Sequence, residues 1–336
     1  MNILLPRVRR LPARKVGQPE RKYAVLLAVF MMLFSLPAMA KTYGVVVSGL
    51  GGTPDYQEAF DEASRHFNAG LLSLENDPSL IRLLDEKVTR ESILAAIDEQ
   101  AARIQRDMDS SSGEVFSEPV FVLMLTGHGN ADSDGWLFNV AGPDLSSSDL
   151  IAALNGVPTA RQLVVLAASA SGAALDSLSQ LGRVLVTATK SGGEINAIRF
   201  HKFLADAMQS DSADYDRNEI LTIAEAYRFA ESRTIEYFEQ QNLLASEHSR
   251  LRGEDADDIA VALLGSLRDA KDDPIVAGLL DQRLVLEQTF KALRLQKENM
   301  PVEDYYNELE TLLLSIARLQ QSIDKATGWS DGDANS

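Results

Sequence analysis

Four short apolar runs, rich in valine or leucine and followed by glycine or small polar residues, constrain the fold most strongly. They occupy residues 42–52, 119–127, 161–168 and 182–189. Amphipathic helical patterns, with apolar residues three or four apart, begin near Pro54 and Thr89 between these runs. Because strands buried on both faces read as continuous apolar runs, the pattern predicts an α/β fold with a mostly parallel sheet flanked by helices. In such sheets, functional sites are expected in the loops that follow the strand C-termini.

The N-terminus predicts an exported protein. Residues 1–22 carry seven Lys and Arg and one acid, and the apolar run after them ends in Ala38-Met39-Ala40. These features are typical of a signal peptide over residues 1–40, cleaved after Ala40, which places the mature chain in the periplasm or outside the cell. The alternative is an uncleaved anchor, since residues 23–40 are uncharged and near the lower length limit for spanning a bilayer.

The negative charge of the mature chain limits the classes of partner that it can be expected to bind. Without residues 1–40 it would carry 25 Lys and Arg against 48 Asp and Glu. Such a surface repels phosphate backbones and anionic lipids, so we expect no nucleic-acid partner and no membrane contact beyond the signal segment. Peptides, proteins and divalent cations are better expectations. The chain has no cysteine, which excludes a disulfide framework and a thiolate nucleophile.

Two strand ends carry the residues that could perform chemistry. His128 lies between two glycines just after the second apolar run, and Ser169 follows the third. A histidine and a nucleophile at neighbouring strand ends, with backbone amides nearby, fit the requirements of acyl transfer.

These motifs resemble those of the caspase–legumain clan of cysteine peptidases, nearest to its bacterial legumain-like members. In that clan an apolar strand ends in His-Gly, matched here by His128-Gly129. The next strand ends in a small residue, the nucleophilic Cys, one variable residue and Ser-Gly, matched by residues 168–172 with Ser169 at the Cys position. The resemblance covers residues 42 to about 265. It implies a caspase-like domain over 41–270, with His128 and Ser169 at the catalytic positions and the Gly129 amide as an oxyanion donor.

The resemblance also extends to the fourth apolar run, which in the family helps to line the substrate pocket. The loop that follows this run contains Ser191 and Glu194. Both residues are therefore expected to contact substrate.

The replacement of Cys by Ser169 favours loss of catalysis. A thiol has a pKa of roughly 8.5 and a neighbouring imidazole can ionise it, but a serine hydroxyl needs a base held by a carboxylate. Losing that carboxylate costs ~10⁴ in rate. Asp132 and Asp134 follow His128, in a loop where they are expected to cap turns. The sequence therefore favours an inactive peptidase homologue that binds peptides or proteins. The alternative is an active hydrolase with Ser169 as nucleophile, His128 as base, and the Gly129 and Ser169 amides as oxyanion donors.

An acidic segment, residues 214–225, has the ligand spacing of an EF-hand calcium loop. The predicted calcium ligands are the side chains of Asp214, Asp216, Asn218 and Glu225 and the carbonyl oxygen of Ile220. The sixth position departs from the pattern, because it holds Glu219 where glycine normally adopts a positive φ. A non-glycine residue there costs ~1–2 kcal/mol. The alternative is an acidic loop that only caps the helix beginning near Leu221.

The C-terminal part, residues 271–328, predicts an antiparallel helical hairpin. Its second arm carries a heptad seam at Tyr305, Leu309, Leu312, Ile316, Leu319 and Ile323. Met300-Pro301 separates this arm from the first. Two interpretations remain open: the hairpin packs on its own domain, or residues 279–325 bind a helical partner. The second would suit a calcium-dependent scaffold, a third candidate function. Residues 329–336 read as a flexible acidic tail.

Overall fold

A six-stranded sheet lies at the centre of the computed structural model, which describes residues 40–110 and 118–328. Across the sheet, the strands are β2 (Ile81–Leu84), β1 (Thr42–Ser48), β3 (Val120–Gly127), β7 (Gln162–Ala168), β8 (Arg183–Thr187) and β10 (Arg250–Arg252). Every neighbouring pair is parallel except β8 with β10. The predicted α/β class and mostly parallel sheet are confirmed. The predicted signal peptide (except Ala40) and the acidic tail lie outside the described residues.

The four central strands form the core because every one of their residues is buried. Helices cover both faces of the sheet, as continuous apolar strands require. The helices of this part are α1 (Pro54–Leu74), α2 (Arg90–Ser110), α3 (Ser147–Asn155), α4 (Leu175–Leu178), α5 (Phe200–Ala207), α6 (Ile223–Gln240) and α7 (Gly265–Asp269). The apolar stripes of α1 and α2 point inward, so that Phe67, Leu71, Ile93 and Ile97 are fully buried.

Two small antiparallel sheets flank the central one. The first contains β4 (Gly129–Asp132), β5 (Gly135–Phe138) and β6 (Leu145–Ser146), and the second pairs β9 (Ile220–Thr222) with β11 (Ala260–Leu263). Phe138 packs where Gly49 and Gly127 leave room. A Cβ on Gly49 would lie 2.6 Å from the Phe138 ring. The glycine turn after β1 therefore seats the first small sheet beside the ends of β1 and β3.

Two long helices end the described chain, α8 (Pro274–Leu295) and α9 (Val302–Thr327). Near their connection, Leu293 packs with Tyr305 and Leu312 in one apolar cluster. Farther along, α8 and α9 share a second cluster with residues before residue 270: its buried members are Leu263, Leu267, Val276, Leu280, Leu319 and Ile323. The helices thus contact both each other and the α/β part. Within residues 40–110 and 118–328, no helix has the length and apolarity needed to cross a bilayer.

A partly buried carboxylate, that of Glu75, binds the start of the central sheet. Glu75 follows α1, and its Oε1 accepts a hydrogen bond from the amide of Thr42, the first residue of β1. Burial raises the pKa of the Glu75 carboxyl to about 7, although the Thr42 hydrogen bond opposes the shift. Glu247, which accepts amides at the start of α5, is raised to about 7 by burial too. Both groups bind protons more tightly in the folded chain.

We therefore predict that the contribution of Glu75 and Glu247 to the free energy of unfolding falls as the pH rises from about 4.5 to about 7 and levels off above it. Glu75→Gln keeps the acceptor for Thr42 and removes the charge. It should reduce this slope and stabilise the fold above pH 7 by roughly 1–3 kcal/mol. Chemical denaturation across the pH range measures both effects, with exposed Glu58→Gln as the control. An unchanged slope in Glu75→Gln would contradict the role of this carboxyl.

Candidate functional site

The C-terminal ends of β3 and β7 bring the two predicted catalytic positions to one edge of the sheet. The strands pair in parallel from Phe121 with Gln162 to Gly127 with Ala168. His128 and Ser169 are the next residues after the last pair. Equal register therefore places their backbones at the same level on adjacent strands, about 4.8 Å apart in the hydrogen-bonding direction.

The imidazole of His128 is held by aromatic rings. Its centroid lies 4.9 Å from the Tyr56 ring and 5.0 Å from the Phe60 ring, both in edge-on contacts. Among the described residues, no hydrogen bond joins this imidazole to the Ser169 hydroxyl or to any carboxylate. Asp132 instead accepts the amide of Asp134 at 2.8 Å, closing a turn. The ring is positioned by packing, and no acid in the described part of the chain orients its nitrogens.

Ser169 is covered by the first small sheet. The residue is only 2% exposed, and its carbonyl oxygen accepts a hydrogen bond from Trp136 Nε1 at 3.0 Å. A Cβ on Gly129 would lie 2.6 Å from that indole nitrogen and 2.7 Å from the Ser169 carbonyl oxygen. The glycine after His128 therefore has a packing role, independent of the oxyanion role that the resemblance implies for its amide.

The Ser-Gly pair of the motif locks the loops after β7 and β8 together. The hydroxyl of Ser171 accepts hydrogen bonds from the amides of Ala188 and Thr189, at 3.1 and 3.3 Å. Gly172 donates its amide to Thr189 Oγ1 at 2.9 Å. A Cβ on Gly172 would lie 2.2 Å from the backbone of Lys190 and of the residue after it. These two residues of the motif thus have a structural explanation.

Ala170, next to Ser169, holds the left-handed backbone conformation at φ +56°. Its amide donates to the carbonyl oxygen of Glu194 at 2.8 Å. A non-glycine residue in this region is strained by ~1–2 kcal/mol. The hydrogen bond to Glu194 helps to stabilise this strained backbone conformation next to Ser169, the predicted nucleophile.

The two predicted substrate-contacting residues lie in the loop after β8. Ser191 is exposed, whereas the Glu194 side chain is 12% exposed. Glu194 Oε1 lies 2.5 Å from Nδ1 of His248, and its Oε2 accepts the amides of Lys190 and His248. His248 reaches this position because it directly precedes the residues leading into β10, the antiparallel neighbour of β8. The Glu194 carboxylate therefore orients the imidazole of His248, which lies next to β10, two strands away from Ser169.

The protonation of Glu194 follows from these contacts. Burial alone would raise the pKa of its carboxyl, but the hydrogen bonds from the Lys190 amide and from His248 outweigh burial and hold that pKa below its usual value. The carboxyl is therefore ionised at neutral pH and accepts the Nδ1 proton of His248. Lys190 Nζ lies 3.4 Å from the same carboxylate.

The acidic loop brings together three of the predicted calcium ligands. Carboxylate oxygens of Asp214, Asp216 and Glu225 lie within 4.8 Å of one another. Asn218 is also present, and its amide nitrogen donates to Asp216 at 2.8 Å. Ile220, whose carbonyl oxygen is the fifth predicted ligand, begins β9.

Two features of this loop bear on its interpretation. Glu219 adopts φ +60°, the positive value required at the sixth position of an EF-hand loop. Its carboxylate accepts the amides of Ser266 and Leu267, which fastens the start of α7. Glu225 and Thr222 form a capping box at the start of α6. The loop therefore caps α6 through Glu225, as the alternative interpretation expected. The same geometry leaves the carboxylates of Asp214, Asp216 and Glu225 close together.

The crowding of negative charge in this loop changes the protonation of Asp216. Burial, the charge of Glu225 and the hydrogen bond with Asp214 together raise the pKa of the Asp216 carboxyl to about 6.

Three residues near the sheet edge have structural roles that the sequence did not predict. Trp136 covers Ser169, Glu247 caps α5, and buried His201 packs its ring 5.3 Å from Phe60, on which His128 also rests. Burial lowers the pKa of His201 to about 3, so the ring is neutral. A tryptophan or histidine within a strand or helix pattern indicates only that its side chain is buried. The residues that it contacts can be identified only from the tertiary structure.

We predict that Gly172→Ala destabilises the protein by about 3 kcal/mol, since the added methyl meets backbone atoms that cannot move away independently. The control is Gly193→Ala in the same loop region, where the nearest atom to a new Cβ is the Ser191 hydroxyl at 3.6 Å. That change should stay within about 0.5 kcal/mol. Thermal unfolding of the two variants provides the comparison, and equal melting temperatures would disprove the close contact.

A scan of the chain against protein-family models finds no match. A search of the curated proteins finds none either.

Proposed function

We propose that this chain is a catalytically silent homologue of the caspase–legumain peptidases that binds peptides or proteins at the C-terminal edge of its sheet. The observation that carries the proposal is the state of Ser169. It is 2% exposed, and no hydrogen bond links it to His128. An unassisted serine hydroxyl is a poor nucleophile, because it remains protonated without an oriented base.

The loop after β8 supports a binding role. Lys190 and Ser191 are exposed, and Ile195 beyond them is 67% exposed. The ionised Glu194 carboxylate lies beneath this surface, fixed by four hydrogen-bond or ion-pair contacts. A rigid loop with exposed polar and apolar groups can bind an extended peptide without ordering first, which reduces the entropic cost of binding.

A second candidate is an active Ser–His hydrolase, with Ser169 as nucleophile, His128 as base and the Gly129 amide as oxyanion donor. The left-handed conformation of Ala170 favours it, since backbone strain is often retained at functional sites. This function would require the cover over Ser169 to open and His128 to turn from its aromatic contacts.

A fluorophosphonate probe separates these two functions, because it labels only activated serines. We predict no labelling of the exported chain, since no described residue is hydrogen-bonded to the Ser169 hydroxyl in a way that could ionise it. Ser169→Ala and exposed Ser191→Ala are the matched variants. Labelling that disappears in Ser169→Ala and persists in Ser191→Ala would establish the active hydrolase instead.

The proposal places the mature chain outside the cytoplasm, with cleavage after Ala40. Its support is the basic, then apolar, then small-residue order of residues 1–40. In this setting millimolar calcium is common, which makes the acidic loop relevant.

We also propose that residues 214–225 bind calcium and that α8 and α9 form a hairpin serving a scaffold. The positive φ of Glu219 favours calcium, because an EF-hand loop needs that conformation at its sixth position; Arg217, two residues earlier, shares it at φ +58°. Asp214, Asp216 and Glu225 would supply carboxylate oxygens, and the calcium charge would offset the repulsion among them.

Millimolar calcium should therefore raise the melting temperature by a few degrees at neutral pH. The increase should become smaller as the pH falls, because protonation of Asp216, whose pKa in the calcium-free loop is raised to about 6, competes with calcium binding. Glu225→Gln should abolish the calcium-dependent increase, whatever its effect on the starting stability, while Glu239→Gln on the same helix should retain it. An increase that survives in Glu225→Gln would place the cation elsewhere.

A further inference from the structure

The outward face of α9 carries apolar side chains that the described part of the chain does not cover. Tyr306, Leu313 and Leu314 are 54%, 48% and 49% exposed. Leu312, in contrast, is 8% exposed and packs against α8. Three consecutive leucines thus divide between two faces, and only one of them serves the contact between α8 and α9. Exposed apolar side chains grouped on one helix surface are typical of an interaction site.

Charged residues on the same face follow a symmetric order about Leu314. Glu310 precedes it by four residues and Arg318 follows it by four; Glu303 precedes it by eleven and Lys325 follows it by eleven. Four and eleven residues are close to whole helical turns, so all four side chains lie on the Leu314 face. The acids occupy the N-terminal side and the bases the C-terminal side.

These charges lack partners within the described residues. All four residues are exposed, and none of their side chains forms an ion pair or a hydrogen bond there. Elsewhere on the long helices such pairs do form, as between Arg283 and Glu287 at 2.7 Å. The Leu314 face therefore presents a complementary charge pattern that no described residue of the chain satisfies.

We propose that this face binds a second copy of the chain, with the two α9 helices antiparallel and Leu314 on the two-fold axis. An isologous contact brings residues equally distant from the axis together. Glu310 then faces Arg318 of the second copy, and Glu303 faces its Lys325. A parallel arrangement would place like charges opposite one another, which is unfavourable. The Leu314 side chains supply the apolar centre, and Leu313, about 100° round the helix, lies at its flank. This inference does not depend on whether Ser169 reacts.

Sedimentation equilibrium of the exported chain tests the association. We expect a reversible dimer whose dissociation constant increases at least about 10-fold in Leu314→Glu and in Glu310→Arg. The double variant, Glu310→Arg with Arg318→Glu, should restore the dimer because the charges are exchanged. Leu244→Glu, at a position 94% exposed outside α9, is the control and should not change association. A monomer at all concentrations, or a dimer unaffected by Leu314→Glu, would overturn the proposal.

Cysteine cross-linking tests the orientation, because the chain has no cysteine of its own. In an antiparallel pair, a Glu303→Cys chain mixed with a Lys325→Cys chain should form a disulfide-linked heterodimer under mild oxidation, and neither variant should cross-link with itself. Efficient self-cross-linking of each variant would show a parallel pair and overturn the antiparallel assignment.

Discussion

The in-register parallel pairing of β3 and β7 is the constraint on which the candidate site depends. Both strands are buried throughout, so their order and register follow from apolar packing across the whole core. This pairing brings His128 and Ser169 to adjacent strand ends. Proximity is therefore a property of the fold, and the sheet would retain it whether or not the residues there could react. Whether His128 and Ser169 can react depends on the residues that contact them.

The residues around these strand ends pack against Ser169, and their hydrogen bonds join the neighbouring loops. Trp136 and Gly129 close over the serine, while the Ser-Gly pair ties the β7 and β8 loops together. The carboxylate–imidazole pair at this edge joins Glu194 to His248. It stabilises the loop beside Ser169 without acting on its hydroxyl. The described residues around Ser169 thus hold it by packing and backbone contacts, and no hydrogen bond joins its hydroxyl to His128.

The sequence predicted the parts of the fold that depend on continuous burial. The four central strands and helices α1, α2 and α6 lie where their apolar patterns placed them. Strands β2 and β10 were not predicted, because they have only four and three residues, and β10 contains two arginines. The candidate catalytic positions, His128 and Ser169, were predicted from motifs next to strands and stay a prediction. The pairing of Glu194 with His248 could not be predicted, since 54 residues separate them and only the antiparallel return of β10 brings them together.

The central claim is that no acid among residues 40–110 and 118–328 orients the ring of His128. Proton NMR of the histidine ring N–H groups tests this claim most directly. A ring proton held by a carboxylate resonates far downfield and exchanges slowly with water. We predict one such signal, from His248 against Glu194, which disappears in Glu194→Gln and remains in His128→Gln. A downfield signal that disappears in His128→Gln would contradict the account, because it would reveal the oriented base that an active serine requires.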